Sequence, residues 1–321
     1  MRHALLEAII QLVNDSHAMF NFEKLAYLWM KVPGLNSYVL GRMSRKKMSE
    51  RMETLDITSE FPLFSPNSSG GYRERSALTK MCINNTLPAI VNIARKTGMP
   101  KAEAIVIDDL FQDVESAERC ENLSRLLINH GSDKSGDHDY YKFYGKILTS
   151  QGTPKSILEI GMGTNHQDVV SNMGASGSPG ASLRAFRDML PTTVIYGADI
   201  DTRILFQEDR IHTFSVNQLD LASLERLGER MPHEIDLVID DGLHSPDANL
   251  NTFMFALGKI APSGWIVIED IRVEAVPLWE VVSGLLPDIF RSYIIFAKGG
   301  VLFAVQRCSS NHKFADLLGE A

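Results

Sequence analysis

The chain predicts an α/β fold: a mostly parallel sheet with helices on both faces, preceded by a helical N-terminal region. Three observations carry this. From about residue 150 onward, short apolar β runs alternate with helical segments. The last two runs are joined by Lys298-Gly299-Gly300 rather than by a helix. Before about residue 125, apolar residues recur at helical spacing and no strand pattern stands out. Strands separated by helices pair in parallel through crossovers, whereas a tight turn gives an antiparallel pair.

The elements follow in order. "MRHALLEAIIQLVNDSHAMF" sets apolar residues at 5, 6, 9, 10 and 13, the stripe of an amphipathic helix, with Glu7, Gln11 and Asn14 between them. It is neither a signal peptide nor a membrane span, since the chain has no stretch of about 18 apolar residues. Segments 78–97 and 101–129 read as helices, the second following the Met99-Pro100 break, and "FPLFSPNSSGGYRE" (61–74) reads as a loop. A helical auxiliary domain is therefore expected over 1–125 and a second domain over 126–321. The β runs are "SILEIG" (156–161), "TVIYGAD" (193–199), "IHTFSV" (211–216), "IDLVID" (235–240) and "GWIVIED" (264–270), with helices at 181–190, 221–230 and 246–260. "RSYIIFAKGGVLFAVQR" (291–307) is a hairpin, which predicts an antiparallel C-terminal edge strand.

Composition narrows the function classes. With 44% hydrophobic and 22% charged residues the chain is an ordinary globular one. A net charge of −8 argues against nucleic-acid binding. The basic stretch "RMSRKKMSER" (42–51) reads as a solvated face or linker, with a contact to an anionic partner as the alternative. Cys82, Cys120 and Cys308 are dispersed and odd in number, so no disulfide framework or zinc site is expected, which suits a cytoplasmic location.

Ligands of such sheets lie beyond the carboxyl ends of the strands. The first run ends in "LEIGMGTN", where Gly161 and Gly163 let a ligand approach the backbone. The third glycine of a dinucleotide fingerprint is replaced by His166. Glu159 suits a cofactor that carries a cation. Asp199 can accept from ribose hydroxyls, and Gln218 and Asp220 can face an adenine. Together these favour S-adenosylmethionine over NAD. The plain alternatives are a bare strand-to-helix turn for the glycines and a helix cap for Asp199.

"IDDGLH" places Asp240, Asp241 and His244 at one strand end, and Glu269-Asp270 ends the next run. Successive residues leaving a strand face opposite ways, so Asp240 and Asp241 can serve cofactor and acceptor separately. If the two strands are neighbours, their carboxylates converge and need a cation; oxygen ligands without thiolate indicate Mg²⁺. Such an ion could hold an acceptor hydroxyl in line with a methyl donor, with His244 as the base that takes its proton. A helix-capping turn with a surface histidine is the alternative.

With these residues assembled, the region from about 128 to 275 resembles the class I S-adenosylmethionine-dependent methyltransferases, with their Rossmann-like sheet. More narrowly it resembles the metal-dependent sugar O-methyltransferases of macrolide tailoring. "GSDKSGDHDYYKFY" (131–144) and "IDDGLH" are the more specific signals; the G-x-G turn and the aspartate after the second run are general ones. The resemblance implies Asp241, Glu269 and Asp270 as metal ligands and His244 as general base. It implies Glu159, Gly161, Asp199, Gln218 and Asp240 around the cofactor, and Ser132-Asp133-Lys134 folded over the cofactor's methionine end. Tyr140, Tyr141 or Tyr144 would wall the site, or else simply pack a helix. It further implies a small-molecule or glycan acceptor and a homo-oligomer. The Gly/Ser-rich connection between Gly163 and Gly180 is longer than usual for the family and reads as a mobile flap. The rival readings are a nucleotide-binding oxidoreductase, methyl transfer to another small-molecule hydroxyl, and a non-catalytic methyltransferase-like scaffold.

Overall fold

The computed structural model describes residues 72–110, 114–150 and 152–308. The amphipathic helix expected at the N-terminus, the basic stretch 42–51 and most of the loop 61–74 lie outside the described residues. The chain divides into two compact units, Met1–Thr86 and Leu87–Ala321, and the sheet belongs wholly to the second. Helix α1 (Tyr72–Lys96) runs across that division.

Nine strands form one mixed sheet: β1 (Glu103–Val106), β2 (Ser156–Ile160), β3 (Val194–Asp199), β4 (Gln207–Glu208), β5 (Ile211–Ser215), β6 (Ile235–Asp240), β7 (Ile260–Ile271), β8 (Phe290–Ala297) and β9 (Gly300–Arg307). Their order is β1-β8-β9-β7-β6-β2-β3-β5-β4. Strands β3, β2, β6 and β7 pair in parallel, as the alternating pattern requires. The C-terminal hairpin supplies the antiparallel strand β9, between β7 and β8, and the two-residue β4 pairs antiparallel with β5 at the opposite rim. The chain winds outward from β2 through β3 to β5, then crosses back to β6 on the other side of β2. That reversal opens a crevice at the carboxyl ends of the strands.

Alternate residues of each strand feed two cores. Ile157, Leu237, Ile239 and Val267 face one side, with Leu123 and Leu127 from α2 (Val114–His130), Phe143 from α3 (Tyr141–Ser150) and Leu183 and Phe186 from α4 (Ala181–Met189). Leu158, Val238, Ile266 and Ile268 face the other, with Leu224, Phe253 and Trp279 from α5 (Leu221–Arg230), α6 (Pro246–Leu257) and α7 (Val276–Leu285). A sheet apolar on both faces cannot leave either to water, so helices must cover both.

Two expectations fail: the antiparallel C-terminal strand β9 lies inside the sheet, between β7 and β8, rather than at its edge, and one predicted helix is broken. Segment 101–129, read as a single helix, begins with strand β1, passes through a short 3-10 turn (Ile107–Leu110), and becomes helical only at Val114. β1 pairs in parallel with β8 and closes that edge of the sheet. Its four residues bury only Ile105, too little to print a strand pattern in the sequence.

Asp220 is the N-cap of α5, its side chain accepting from the Ala222 N–H at 3.0 Å. Removing such a cap costs about 1 kcal/mol. Asp220→Ala should therefore lower the unfolding free energy by that amount, seen as a lower denaturation midpoint at an unchanged slope; no loss of stability would mean that the cap contributes nothing.

Candidate active site

The crevice opens into a cavity of about 840 Å³ lined by residues that follow β2, β3, β5, β6 and β7. Two backbone bonds prolong the ladder past the strand ends: Gly161 N–H donates to Ala198 O and Asp241 N–H to Ile160 O, both at 2.8 Å. The tips of β3, β2 and β6 are thus held in register as they turn away. Gly161 has φ +91°, and a Cβ there would collide with the Asp241 carbonyl, so only glycine lets the two tips touch.

Behind the cavity an ammonium group is buried among carboxylates. Lys134, 1% exposed, sends Nζ to within 2.5 Å of Asp241 Oδ2, 2.6 Å of Glu269 Oε2 and 3.3 Å of Glu159 Oε1. A cation stripped of water costs several kcal/mol unless paired and hydrogen-bonded. Burial alone would lower the Lys134 pKa; Asp241, Glu269 and Glu159 outweigh it and raise it well above the usual value. On the acidic side, burial pushes Asp241 up to about 7 despite Lys134, with Asp270 and Glu159 adding to the rise. Burial likewise drives Glu269 well above the ordinary carboxyl range. The Tyr144 hydroxyl donates to Glu269 Oε1, and Ser182 Oγ donates to Glu159 at 2.7 Å. Three carboxylates around one ammonium, with Asp270 beside them, leave an excess of negative charge.

A cation would answer that excess, and the residues fit one. Asp241, His244 and Asp270 each offer a ligand atom within 4.8 Å of the others, the grouping of this kind among the described residues. His244 Nε2 lies 4.0 Å from Asp241 Oδ1 and 3.8 Å from Asp270 Oδ2, too far for direct hydrogen bonds. The backbone is bent to make the group: His244 has φ 55° and Asp270 φ 54°, left-handed values that cost a non-glycine residue roughly 1–3 kcal/mol. The β7–β9 register shifts between Ile268 and Ile271, and this bulge re-aims the pair Glu269-Asp270.

The predicted residues therefore part company. Asp241, His244 and Asp270 meet at the cavity, whereas Glu269, expected as a metal ligand, is 1% exposed, outside the cavity lining and committed to Lys134 and Tyr144. Asp240 is wholly buried and holds Gln218 Nε2 (2.7 Å) and Asn249 Nδ2 (3.1 Å) instead of facing a ligand. Asp220 caps its helix and does not line the cavity either. Ser132, Lys134, Glu159, Gly161, Gly163, Asp199 and Gln218 all line it. Asp199 also accepts from the N–H groups of Met162 and Asp201, both at 2.9 Å, which anchors the glycine turn; burial outweighs these bonds and raises its pKa. Tyr140, Tyr141 and Tyr144 are not among the cavity-lining residues; the rings of Tyr140 and Tyr144 pack in the core, and their hydroxyls donate to Asp270 and Glu269.

Other residues escaped the sequence reading. Asp201, in "YGADID", lines the cavity and accepts from Arg203 Nε (2.6 Å), Thr164 Oγ1 (2.6 Å) and His166 Nδ1 (2.8 Å). The Arg203 bonds first, then that from Thr164, hold its carboxyl well below the usual range. Its pairing in sequence with Asp199 was the available signal. The connection read as a mobile flap is tied down at several points. Met173 N–H donates to Thr164 O (2.9 Å), Ser171 Oγ to Gly242 O (2.9 Å), and Asp168 pairs with Arg203 (2.9 Å). Arg184 donates to Pro179 O at 2.8 Å.

No family model matches the chain. It is 30% identical over 177 residues to the 8-demethyl-8-alpha-L-rhamnosyl tetracenomycin-C 2'-O-methyltransferase of Streptomyces olivaceus, covering 55% of this chain and 44% of that protein. It is 32% identical over 154 residues to the 8-demethyl-8-(2-methoxy-alpha-L-rhamnosyl)-tetracenomycin-C 3'-O-methyltransferase of the same organism, covering 47% and 37%. The match thus spans less than half the length of either relative. Among solved structures, the MycE methyltransferase of mycinamycin biosynthesis, in complex with Mg, SAH and mycinamycin VI, superposes partially. Its TM-score is 0.40 at 29% identity, over 46% of this chain and 37% of that one. Over about half its length, this chain is similar in sequence to O-methyltransferases that act on tetracenomycin-linked sugars.

Proposed function

We propose that the chain is an S-adenosylmethionine- and Mg²⁺-dependent O-methyltransferase acting on a sugar hydroxyl of a glycoconjugate, polysaccharide or glycosylated natural product. The observation that carries this reading is the convergence of Asp241, His244 and Asp270 at one end of a cavity. The other walls of that cavity include Glu159, Gly161, Gly163, Asp199 and Gln218. A scaffold without chemistry has no use for strained, converging ligand atoms. The relatives' sugar O-methyltransferase names support the acceptor class.

In this reading Asp241 and Asp270 would hold the metal. When bound, the ion supplies Lewis acidity to an acceptor hydroxyl. His244 sits beside that position with its Nε2 free of direct hydrogen bonds among the described residues, as a base for the hydroxyl proton must. The thioether leaving group of the donor needs no acid, so one base suffices. Glu159 sets negative charge toward the donor's cationic end, fixed by Ser182 and Lys134. Gly161 and Gly163, both at positive φ, let the donor lie against the backbone. Asp199 takes the ribose hydroxyls, and Gln218, held by Asp240 and Thr252, meets the base. Glu269, Asp240 and Asp220 are left supporting or capping roles.

The wider reading has a small-molecule or glycan acceptor, no nucleic-acid partner and a cytoplasmic location, supported by the net charge of −8 and the dispersed cysteines. Among the described residues no helix is long and apolar enough to cross a membrane. Self-association, and an auxiliary role for the chain up to residue 125, rest on the family resemblance. The strand β1, on the auxiliary side of the boundary expected at residue 125, is part of the sheet.

Two variants test the assignments. Asp241→Ala should cut metal-stimulated methyl transfer to glycan acceptors by at least about 100-fold while S-adenosylmethionine binding stays measurable by calorimetry. Full activity of that variant in chelator would refute the metal role. His244→Ala should lose about 10²–10⁴ in kcat with little change in the acceptor KM; an unaltered pH–rate profile would remove the histidine as base.

A further inference from the structure

The two carboxylates that face His244 are each restrained from behind, one oxygen at a time. Tyr140 Oη donates to Asp270 Oδ1 at 2.6 Å, and the other oxygen, Oδ2, lies 3.8 Å from His244 Nε2. Lys134 Nζ lies 2.5 Å from Asp241 Oδ2, and that residue's Oδ1 lies 4.0 Å from the same His244 nitrogen. Each carboxylate therefore presents a single oxygen to the shared space.

The Tyr140 restraint is itself built. The ring is 1% exposed and stacks on His138 with centroids 4.6 Å apart and planes 18° from parallel. His138 Nε2 stands 3.7 Å from Asp270 Oδ1, on the same side as the tyrosine hydroxyl. Gly300 lies behind that hydroxyl, and a Cβ there would collide with it. Oδ1 of Asp270 is thus boxed between Tyr140 and His138, and cannot turn toward the cavity without losing its donor.

We propose that Tyr140 is a positioning residue that holds Asp270 to one-oxygen coordination and that, with Lys134 acting likewise on Asp241, it makes the site select Mg²⁺ over Ca²⁺. The inference rests on the metal reading given above. Mg²⁺ demands a near-octahedral shell at about 2.0–2.1 Å and keeps several waters, which one-oxygen carboxylates permit. Ca²⁺ takes about 6–8 oxygens at longer distance, often through both oxygens of a carboxylate. Restraining both carboxylates from behind withholds that second oxygen from the larger ion.

The test uses the full chain with Mn²⁺ as a paramagnetic probe, displaced by Mg²⁺ or by Ca²⁺, in wild type and in Tyr140→Phe. Phenylalanine keeps the ring and its packing and removes only the hydroxyl. Lys134 is unsuited as the main variant, because its loss leaves buried carboxylates unpaired and threatens folding. Wild type should release Mn²⁺ at lower Mg²⁺ than Ca²⁺. In Tyr140→Phe the ratio of the two should move toward Ca²⁺ by about tenfold, the usual scale for losing a partner behind a metal ligand. A ratio unchanged in the variant, even with both affinities weakened together, overturns the selectivity role while leaving the metal reading intact, as does a wild type that prefers Ca²⁺. A wild type that binds no Mn²⁺ overturns both.

Discussion

The site depends on one buried ammonium. Lys134 reaches from the segment before α3 to the ends of β2, β6 and β7, meeting Glu159, Asp241 and Glu269 in turn. Removing one partner of a buried ion pair typically costs about 3–5 kcal/mol, because the other charge is left uncompensated. Here one cation neutralises part of three anions at once, so the sheet can end in acidic residues without flying apart. The same arrangement commits the inner carboxylates to structure and leaves the outer oxygens to chemistry.

Strain and restraint then divide the labour between neighbouring acids. The bulge in β7 and the left-handed backbone at Asp270 turn that side chain to the cavity and leave Glu269 in the core, where Tyr144 and Lys134 hold it. At β6 the division is similar, with Asp240 buried on Gln218 and Asn249 and Asp241 at the cavity. In both pairs the inner acid is held by neighbouring side chains and the outer acid lines the cavity. Tyr140 and Lys134 set which oxygen of each outer acid remains available.

The opposite end of the cavity is organised by a second network, centred on Asp201. It gathers Arg203, Thr164 and His166, and through Arg203 reaches Asp168. This ties the long connection after Gly163 to the tip of β3, so that a Gly/Ser-rich stretch becomes a wall with Val170 left 90% exposed at its crest. Loop composition alone suggests a free flap; the hydrogen bonds of its polar residues tie it to the tips of β3 and β6 in this structure.

The sequence by itself determined the frame. Alternating apolar runs and helical segments specify a parallel sheet, because each strand must bury both faces, and polar residues at the run ends must gather at one rim. Gly161, Asp199, Asp241, His244 and Asp270 were legible as residues at strand ends; that they meet depends on the strand order, which places β6 beside β7 and β2 beside β3. Tertiary structure decided what period-two reasoning cannot reach. A bulge and a positive φ send Asp270 to the cavity and leave Glu269 in the core, a four-residue strand is too short to carry a pattern, and an aspartate after a strand looks the same whether it caps a helix or lines a cavity. Each of these is fixed by contacts between residues distant in the chain, as when Lys134 finds Glu269 across 135 positions.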